Sequence, residues 1–247
     1  MAKISGLSQQ FFYAGRDLSG DVGSIEEASA IQEVLDVTGL NAASVERVAG
    51  RVDGRLVWRH FFNDASNLSH SIVSTLPTAN VLVLWTVVAA IGSAAFAMTA
   101  KQASARYERG EDMSLVGTVT CEGQGNPMED CEMLTAGLRS DTSATNGSSF
   151  DNGAASSNGI VGHIHCSAFS GTSVVVKIEE SSDNGSSDAF TAKATFATIN
   201  GANASERITA TGSVERYLRV ATSGTFSSAK IAVAARRGTA QDADAIS

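Results

Sequence analysis

Short apolar runs, many of them β-branched, recur along the chain and are separated by turns rich in Gly, Asn and Ser. This spacing is typical of antiparallel β-structure. In the first half the runs predict strands at residues 11–14, 22–30, 31–37, 55–62, 81–88, 94–101 and 114–122. In the second half they predict strands at residues 160–169, 173–180, 190–198, 206–211, 214–221 and 229–235. The pattern therefore predicts an all-β fold, a β-sandwich or barrel domain followed by a C-terminal β-sandwich.

Two segments depart from the strand pattern. Residues 65–75 carry apolar side chains at every fourth position, which gives a helix one apolar face. Asn63 or Asp64 can cap this helix, because an Asx side chain accepts a hydrogen bond from a free N–H group. Residues 40–54 mix small and charged residues. We therefore expect one short α-helix, and a long loop with a helical turn near Val45.

A stretch without charged residues, at positions 71–100, raises the question of a membrane span. Its most apolar part, residues 81–88, is short and β-branched, which favours a buried strand. Residues 89–93 are small enough for a tight turn. We therefore expect a buried hairpin and no membrane insertion, with a spanning helix as the alternative.

The composition changes near the middle of the chain. Residues 123–159 are rich in Gly, Ser, Thr, Asn and Asp, which indicates a connector. Domains are therefore predicted at residues 1–122 and 160–236. The last segment, residues 237–247, is predicted to be a flexible tail.

The charge argues against a nucleic-acid binder, and the candidate chemistry argues against an enzyme. The net charge is −8, whereas a nucleic-acid binder neutralises phosphates with a basic surface. His163 and His165 alternate on one strand and could reach one metal ion, but Cys166 points to the other face and further ligands are lacking. No nucleophile elbow or phosphate loop is present. We therefore expect no catalytic residue, no bound metal and no cofactor.

An ordered series of short motifs resembles the tail tube (major tail) proteins of long-tailed phages. In the first half the motifs are DLS at 17–19, DVT at 36–38, AGRVDG at 49–54, FFND at 61–64 and MTAKQ at 98–102. The second half resembles the tail tube proteins of actinobacterial phages in particular. Its motifs are LTAG at 134–137, DT at 141–142, ATNG at 144–147, SGT at 170–172, SDNG at 182–185 and RYLRV at 216–220. The resemblance spans residues 15–236.

The resemblance implies a structural protein of the virion tail, assembled in the host cytoplasm. Identical copies would form hexameric rings that stack into a tube. The tube would hold the tape-measure protein, meet the tail terminator and distal tail proteins, and pass DNA without specific binding. Two alternatives stay open: a carbohydrate-binding or adhesive module built on the C-terminal sandwich, and a capsid-decoration protein.

The resemblance also assigns residues to the two assembly roles. Ring stacking falls to the predicted loop, with Leu40, Asn41, Val45, Val48, Gly50, Val52 and Gly54. The inner barrel falls to the strands predicted at 22–37, 81–88 and 94–101, with Val22, Ile25, Ile31, Val34, Val81, Val83, Trp85, Val87, Phe96 and Met98. On this assignment the barrel removes exposed strand edges by closing on itself.

Overall fold

The computed structural model describes residues 7–111 and 113–238 and confirms an all-β fold with one short helix in that part of the chain. Its strands pair antiparallel. The elements in chain order are β1 (Gln10–Tyr13), β2 (Arg16–Asp17), β3 (Val22–Asp36), β4 (Arg47–Phe61), α1 (Ser69–Val73), β5 (Val81–Thr86), β6 (Ala94–Arg109), β7 (Leu115–Gly123), β8 (Glu129–Met133), β9 (Arg139–Asp141), β10 (Phe150–Asp151), β11 (Ile160–Ser181), β12 (Thr191–Thr195), β13 (Ala204–Ala210) and β14 (Tyr217–Arg237).

Several predicted strands are halves of longer ones. Residues 22–30 and 31–37 belong to β3, residues 160–169 and 173–180 to β11, and residues 214–221 and 229–235 largely to β14. In β11 and β14 the glycines predicted as turns are accommodated within the ladder, which shifts register beside Gly171. A Cβ on Gly171 would lie 2.4 Å from the Cα of Phe226, so the glycine permits a close approach of two backbones.

The chain divides into two compact units that are not consecutive in sequence. Of the described residues, the first unit holds residues 7–20, Leu82–Ala97 and residues 130–238, and the second holds Asp21–Val81, residues 98–111 and residues 113–129. This division differs from the predicted boundaries at residues 122 and 160. It arises because distant strands pair, as β1 does with β5. Most of the predicted flexible tail, residues 239–247, lies outside the described residues.

The predicted connector at residues 123–159 contains secondary structure, so that prediction is corrected. It contributes β8, β9 and β10, and each of these strands pairs with β14 of the same chain. The buried Asp141 shows why composition misled: its carboxylate accepts hydrogen bonds from Arg139 at 2.7 Å and from the Thr222 hydroxyl at 2.9 Å. Some polar side chains in this segment are therefore buried and hydrogen-bonded within the fold, whereas others face solvent.

The first unit is built around the long pair of β11 and β14. Their register runs from Ile160 opposite Arg237 to Ser181 opposite Tyr217. Buried apolar side chains on these strands, on β12 and in the loops beside them form one cluster. The predicted hairpin at residues 81–98 is confirmed as β5, a turn and the start of β6. No helix among residues 7–111 and 113–238 is long and apolar enough to cross a membrane.

The second unit is a four-stranded antiparallel sheet in the order β3-β4-β7-β6. Alternate residues of β4, namely Leu56, Trp58 and His60, are buried on one side, which we call the core face. Helix α1 and the buried Met128 belong to the same unit. We call the opposite side of this sheet the polar face.

Helix α1 is shorter than predicted and is capped differently. It spans five residues, Ser69–Val73, and Leu68 occupies the N-cap position without a side-chain hydrogen bond. Neither Asn63 nor Asp64 caps it. The Ser69 N–H donates instead to the carboxylate of Asp21 at 3.0 Å, a partner distant in sequence. The local capping signal could not reveal this tertiary contact.

Candidate assembly surface

The hairpin of β3 and β4 extends beyond the rest of its sheet. Strand β7 accompanies β4 only as far as the pair Arg55 and Glu122. Beyond it, residues 30–53 form a two-stranded extension that we call the hairpin arm, in which no side chain is buried. It is about 20 Å long at the usual rise per residue. A two-stranded hairpin with no covered face is marginally stable in water, so the arm calls for a partner.

One face of the arm carries an uncovered apolar stripe. Leu35 pairs with Val48, and Ile31 lies four residues before Leu35 on the same side of β3. Val37, whose N–H donates to the carbonyl of residue 46, completes the stripe. These four side chains are 43–51% exposed. The register shift between Gln32 and Val34 adds one residue to β4, so Val48 lies on the side opposite Val52 and Leu56. The apolar stripe therefore continues the polar face of the sheet, and none of the described residues buries it.

The other face and the tip of the arm add further apolar surface. Val34 and Val52 lie on the face opposite the apolar stripe, and both are exposed. Leu40 and Val45 in the connecting turn are 111% and 54% exposed. Contiguous apolar surface of this kind marks interaction sites in soluble proteins. The arm is therefore the strongest candidate for a protein–protein contact among the described residues.

Gly54 marks the point at which the arm meets the body of the sheet. It is buried, and a Cβ at this position would lie 2.5 Å from the backbone N of Met128 and 2.7 Å from the Sδ of Met98. The absence of a side chain therefore lets the segment at residue 128 cross the core face at close range.

The polar face of the sheet carries charges of both signs in mutual contact. The Nε of Arg55 lies 3.5 Å from a carboxylate oxygen of Glu27 and 3.6 Å from one of Glu122. Arg59 lies at 3.5 Å from Glu26 in the same way. The chain thus places carboxylates beside its cations here, so this face does not offer a purely basic surface.

The structure places most of the predicted stacking residues on the arm. Leu40, Asn41, Val45, Val48 and Val52 are exposed and Gly50 is partly exposed, whereas Gly54 is buried at the base. The prediction of a loop over residues 40–54 is corrected, because residues 47–54 belong to β4. Val45 follows a bend at residues 43–44 and does not lie in a helical turn.

The predicted inner-barrel residues do not form one surface. Val22 and Ile25 are half-buried on the core face of β3, and Ile31 and Val34 lie on the arm. The others belong to β5, the turn after it and β6: Val81, Val83 and Met98 are buried, and Trp85, Val87 and Phe96 are half-buried. Trp85 and Phe96 stack on each other with ring centroids 5.2 Å apart.

Sequence reasoning gave no role to β7 and did not predict the second half of β6. Strand β7 was predicted at nearly its observed bounds but was given no role. Strand β6 continues to Arg109, eight residues past its predicted end. That continuation, QASARYER, has little apolar alternation, so only its pairing with β7 identifies it as a strand. The alternating signal of β7 itself could have prompted a search for neighbours on both sides.

The two histidines of β11 are packed residues of the first unit. Both are completely buried, and the Gly15 N–H donates to the Nδ1 of His165 at 3.2 Å. The ring of Phe12 lies 5.8 Å from that of His165. Burial, with a smaller contribution from His163, lowers the pKa of His165 to about 3. Among the residues described, no group of three His, Cys, Asp or Glu side chains could hold a metal ion.

Acid should destabilise the chain through His165. Its pKa is depressed on folding, so the unfolded chain binds the extra proton, and stability is lost as the pH falls below the unfolded value. This side chain alone should cost about 2 kcal/mol of unfolding free energy at pH 5 relative to pH 7. Urea unfolding of His165→Gln, which keeps an acceptor for Gly15, should show a correspondingly shallower pH dependence. An unchanged slope would contradict this assignment.

The aromatic side chains of the first unit bear on the carbohydrate-binding alternative. Phe196 is buried, and Phe169 and Phe226 pack against the main apolar cluster. The ring of Phe190 is covered by the guanidinium of Arg219 at 4.0 Å. These four rings therefore form no open platform on which a sugar could stack.

Comparison with known proteins gives little further guidance. No protein-family model matches the sequence, and no curated protein matches it. A chain from the tail of an empty gene transfer agent (GTA) particle with C6 symmetry is similar at 12% identity and a TM-score of 0.40, over 53% of this chain and 98% of that one. The Dit protein of SPP1, from the hub adsorption apparatus of phages that infect Gram-positive hosts, is similar at 12% identity and a TM-score of 0.36, over 94% and 99%. TM-scores this low carry no argument about the function of this chain.

Proposed function

We propose that this chain is the structural subunit of a phage tail tube, in which identical copies associate into rings and the rings stack into a tube. The observation that carries the proposal is the hairpin arm, neither face of which is buried by the described part of its own chain. The proposal involves no catalysis. It agrees with the ordered motifs that resemble tail tube proteins, since two of them, DVT and AGRVDG, lie wholly or largely on the arm.

The energy available from covering the arm is sufficient for specific association. Burying a Val or Leu side chain completely is worth about 1.5–3 kcal/mol, so covering the half-exposed apolar stripe would contribute roughly 3–6 kcal/mol per copy. Every copy in a stacked ring carries the same stripe, so this gain repeats around the ring. Polymerisation through such a repeated contact needs no other chemistry.

The sheet of the second unit is our revised proposal for the inner barrel. The sequence predicted barrel strands at 22–37, 81–88 and 94–101. The revised barrel keeps β3 from that set. It replaces β5 and the start of β6 with β4, β7 and the end of β6. Four strands per copy, placed side by side around an axis, would close into one continuous barrel. The core face would then point outward, and the polar face would line the lumen.

A lumen of this composition would let DNA pass. Three cations of the polar face have carboxylates close by, at Arg55, Arg59 and Arg106. Between them lie small polar residues such as Thr118 and Thr120. Affinity for DNA grows with each phosphate that a free cation neutralises, so paired cations contribute little. In this proposal the lumen first holds the tape-measure protein and then conducts the genome, and the tube ends meet the terminator and distal tail proteins.

Electron microscopy of the purified chain tests the proposal. We expect negatively stained tubes of uniform diameter with a regular axial repeat, in a fraction that grows with protein concentration. A chain that stays monomeric at high concentration would refute a tube subunit. Trimers without tubes would favour the capsid-decoration alternative, and glycan-dependent binding without tubes would favour the adhesive one.

A further inference from the structure

We propose that β3 of one copy pairs with the far end of β6 of the next copy, an acidic strand edge against a basic one. The proposal rests on the proposed function and specifies which surfaces meet within a ring. It makes the ring contact heterologous, because one edge of each copy meets a different edge of its neighbour.

Both edges are open in the part of the chain that the structure describes. Strand β3 pairs with β4 alone. Strand β6 pairs with β7 from Ala100 to Arg109. On the other side of β6 lies its hairpin partner β5, which has only six residues. The Val87 N–H donates to the Ala94 carbonyl at 3.1 Å, and this register places Val81, the first residue of β5, opposite Ala100. Strand β5 therefore does not reach the part of β6 beyond Ala100. Open edges present unpaired N–H and C=O groups to any strand that arrives.

The strand directions allow the two edges to meet. The four strands β3, β4, β7 and β6 alternate in direction, so β3 and β6 run antiparallel to each other. When copies are repeated around an axis roughly parallel to the strands, the β3 of the next copy also runs antiparallel to β6. Because each copy contributes an even number of strands that alternate in direction, the pairing at every boundary between copies is antiparallel.

The charges of the two edges are complementary. All charged side chains of β3 are acidic: Glu26, Glu27, Glu33 and Asp36. Beyond Ala100, strand β6 carries three cations and one carboxylate: Lys101, Arg106, Arg109 and Glu108. Two β3 edges would repel each other, as would two β6 edges, since like charges on directly facing strands are destabilising. The charge pattern therefore favours the unlike pairing and disfavours the like ones.

The register places opposite charges near each other. One row of paired residues crosses the polar face from Ser29 to Lys101, and another crosses it from Ser24 to Arg106. Glu27 lies between Ser24 and Ser29 on β3. In an unstaggered neighbour it would therefore face the gap between Lys101 and Arg106, within reach of both as a diagonal neighbour. A shift of one residue pair either way brings it closer to one of these cations.

Charge reversal tests the pairing. Glu27→Lys and Arg106→Glu should each remain folded by circular dichroism but raise the critical concentration for tube formation about tenfold, through repulsion at every ring contact. The double variant, which exchanges the two charges within one chain, should return it to the wild-type value. An equimolar mixture of the two single variants should also form tubes, because the altered edge of each fits the altered edge of the other.

A matched control separates this effect from a change in net charge. Asp130→Lys alters the charge as Glu27→Lys does, at an exposed position of β8 that belongs to neither edge, and should assemble as the wild type does. Wild-type tubes together with unaffected single variants, or with no rescue by the double variant and the mixture, would overturn the edge pairing and leave the proposed function standing. Failure of the wild-type chain to form tubes would overturn both.

Discussion

Leu35→Ser/Val48→Ser should leave a folded chain that no longer forms tubes. The two side chains face each other on the apolar stripe, at 46% and 51% exposure, and nothing in their own chain covers them. Their loss should therefore change the free energy of unfolding by less than about 0.5 kcal/mol, as for other surface substitutions. It should remove a large part of the contact energy between rings. Sedimentation and electron microscopy measure assembly, and thermal unfolding measures stability.

The control for this experiment is a pair of equally exposed apolar residues off the arm. Leu76 and Met113 are 48% and 69% exposed and lie outside residues 30–53. Leu76→Ser/Met113→Ser removes comparable apolar surface and should still give tubes. Normal tubes from the arm variant, or equal loss in both variants, would mean that the arm has no special part in assembly.

Gly54→Val should cost the second unit about 3 kcal/mol of stability, the range of overpacking in a closed core. The new side chain would collide with the backbone of Met128, which cannot move aside as a flexible side chain can. The loss should appear in urea unfolding of the unassembled chain, and assembly should fail because the base of the arm is displaced.

Gly50→Ala provides the comparison for that substitution. Gly50 lies four residues earlier on β4, where a Cβ would lie 2.9 Å from the Oε2 of Glu33. Glu33 is exposed and can swing away, so the change should cost less than about 1 kcal/mol. Similar losses at Gly54 and Gly50 would show that the close approach at residue 128 is unimportant.

The sequence identified strands where apolar side chains alternate along a buried side. In β4 the alternation of Leu56, Trp58 and His60 with polar residues is clear, and this part was predicted. Residues 47–53 of the same strand have no buried side chain, and glycines stand at positions 50 and 54, so this segment suggested a loop. They are extended because β3 supplies their hydrogen bonds, which is information that local patterns do not hold.

Long-range pairing accounts for most of the remaining differences. The polar strands β8 and β9 are ordered by β14, which lies about ninety residues further along the chain. The helix cap from Asp21 arises in the same way. For the candidate site, the sequence singled out residues 40–54, which overlap the arm, but assigned Ile31 and Val34 of the arm to the inner barrel. It did not identify the two open edges, because an edge is defined only by the strand order of the whole sheet.

The unsupported arm also has a consequence for how polymers would begin. In an isolated copy its two strands have only each other, so the arm should open and close readily, and its backbone must be fixed when it docks. The first contacts between free copies bear that entropy cost with few compensating neighbours, whereas a copy that joins a finished ring meets a complete row of them. We therefore expect slow nucleation followed by rapid elongation, which would keep free subunits from polymerising until a template offers them an end.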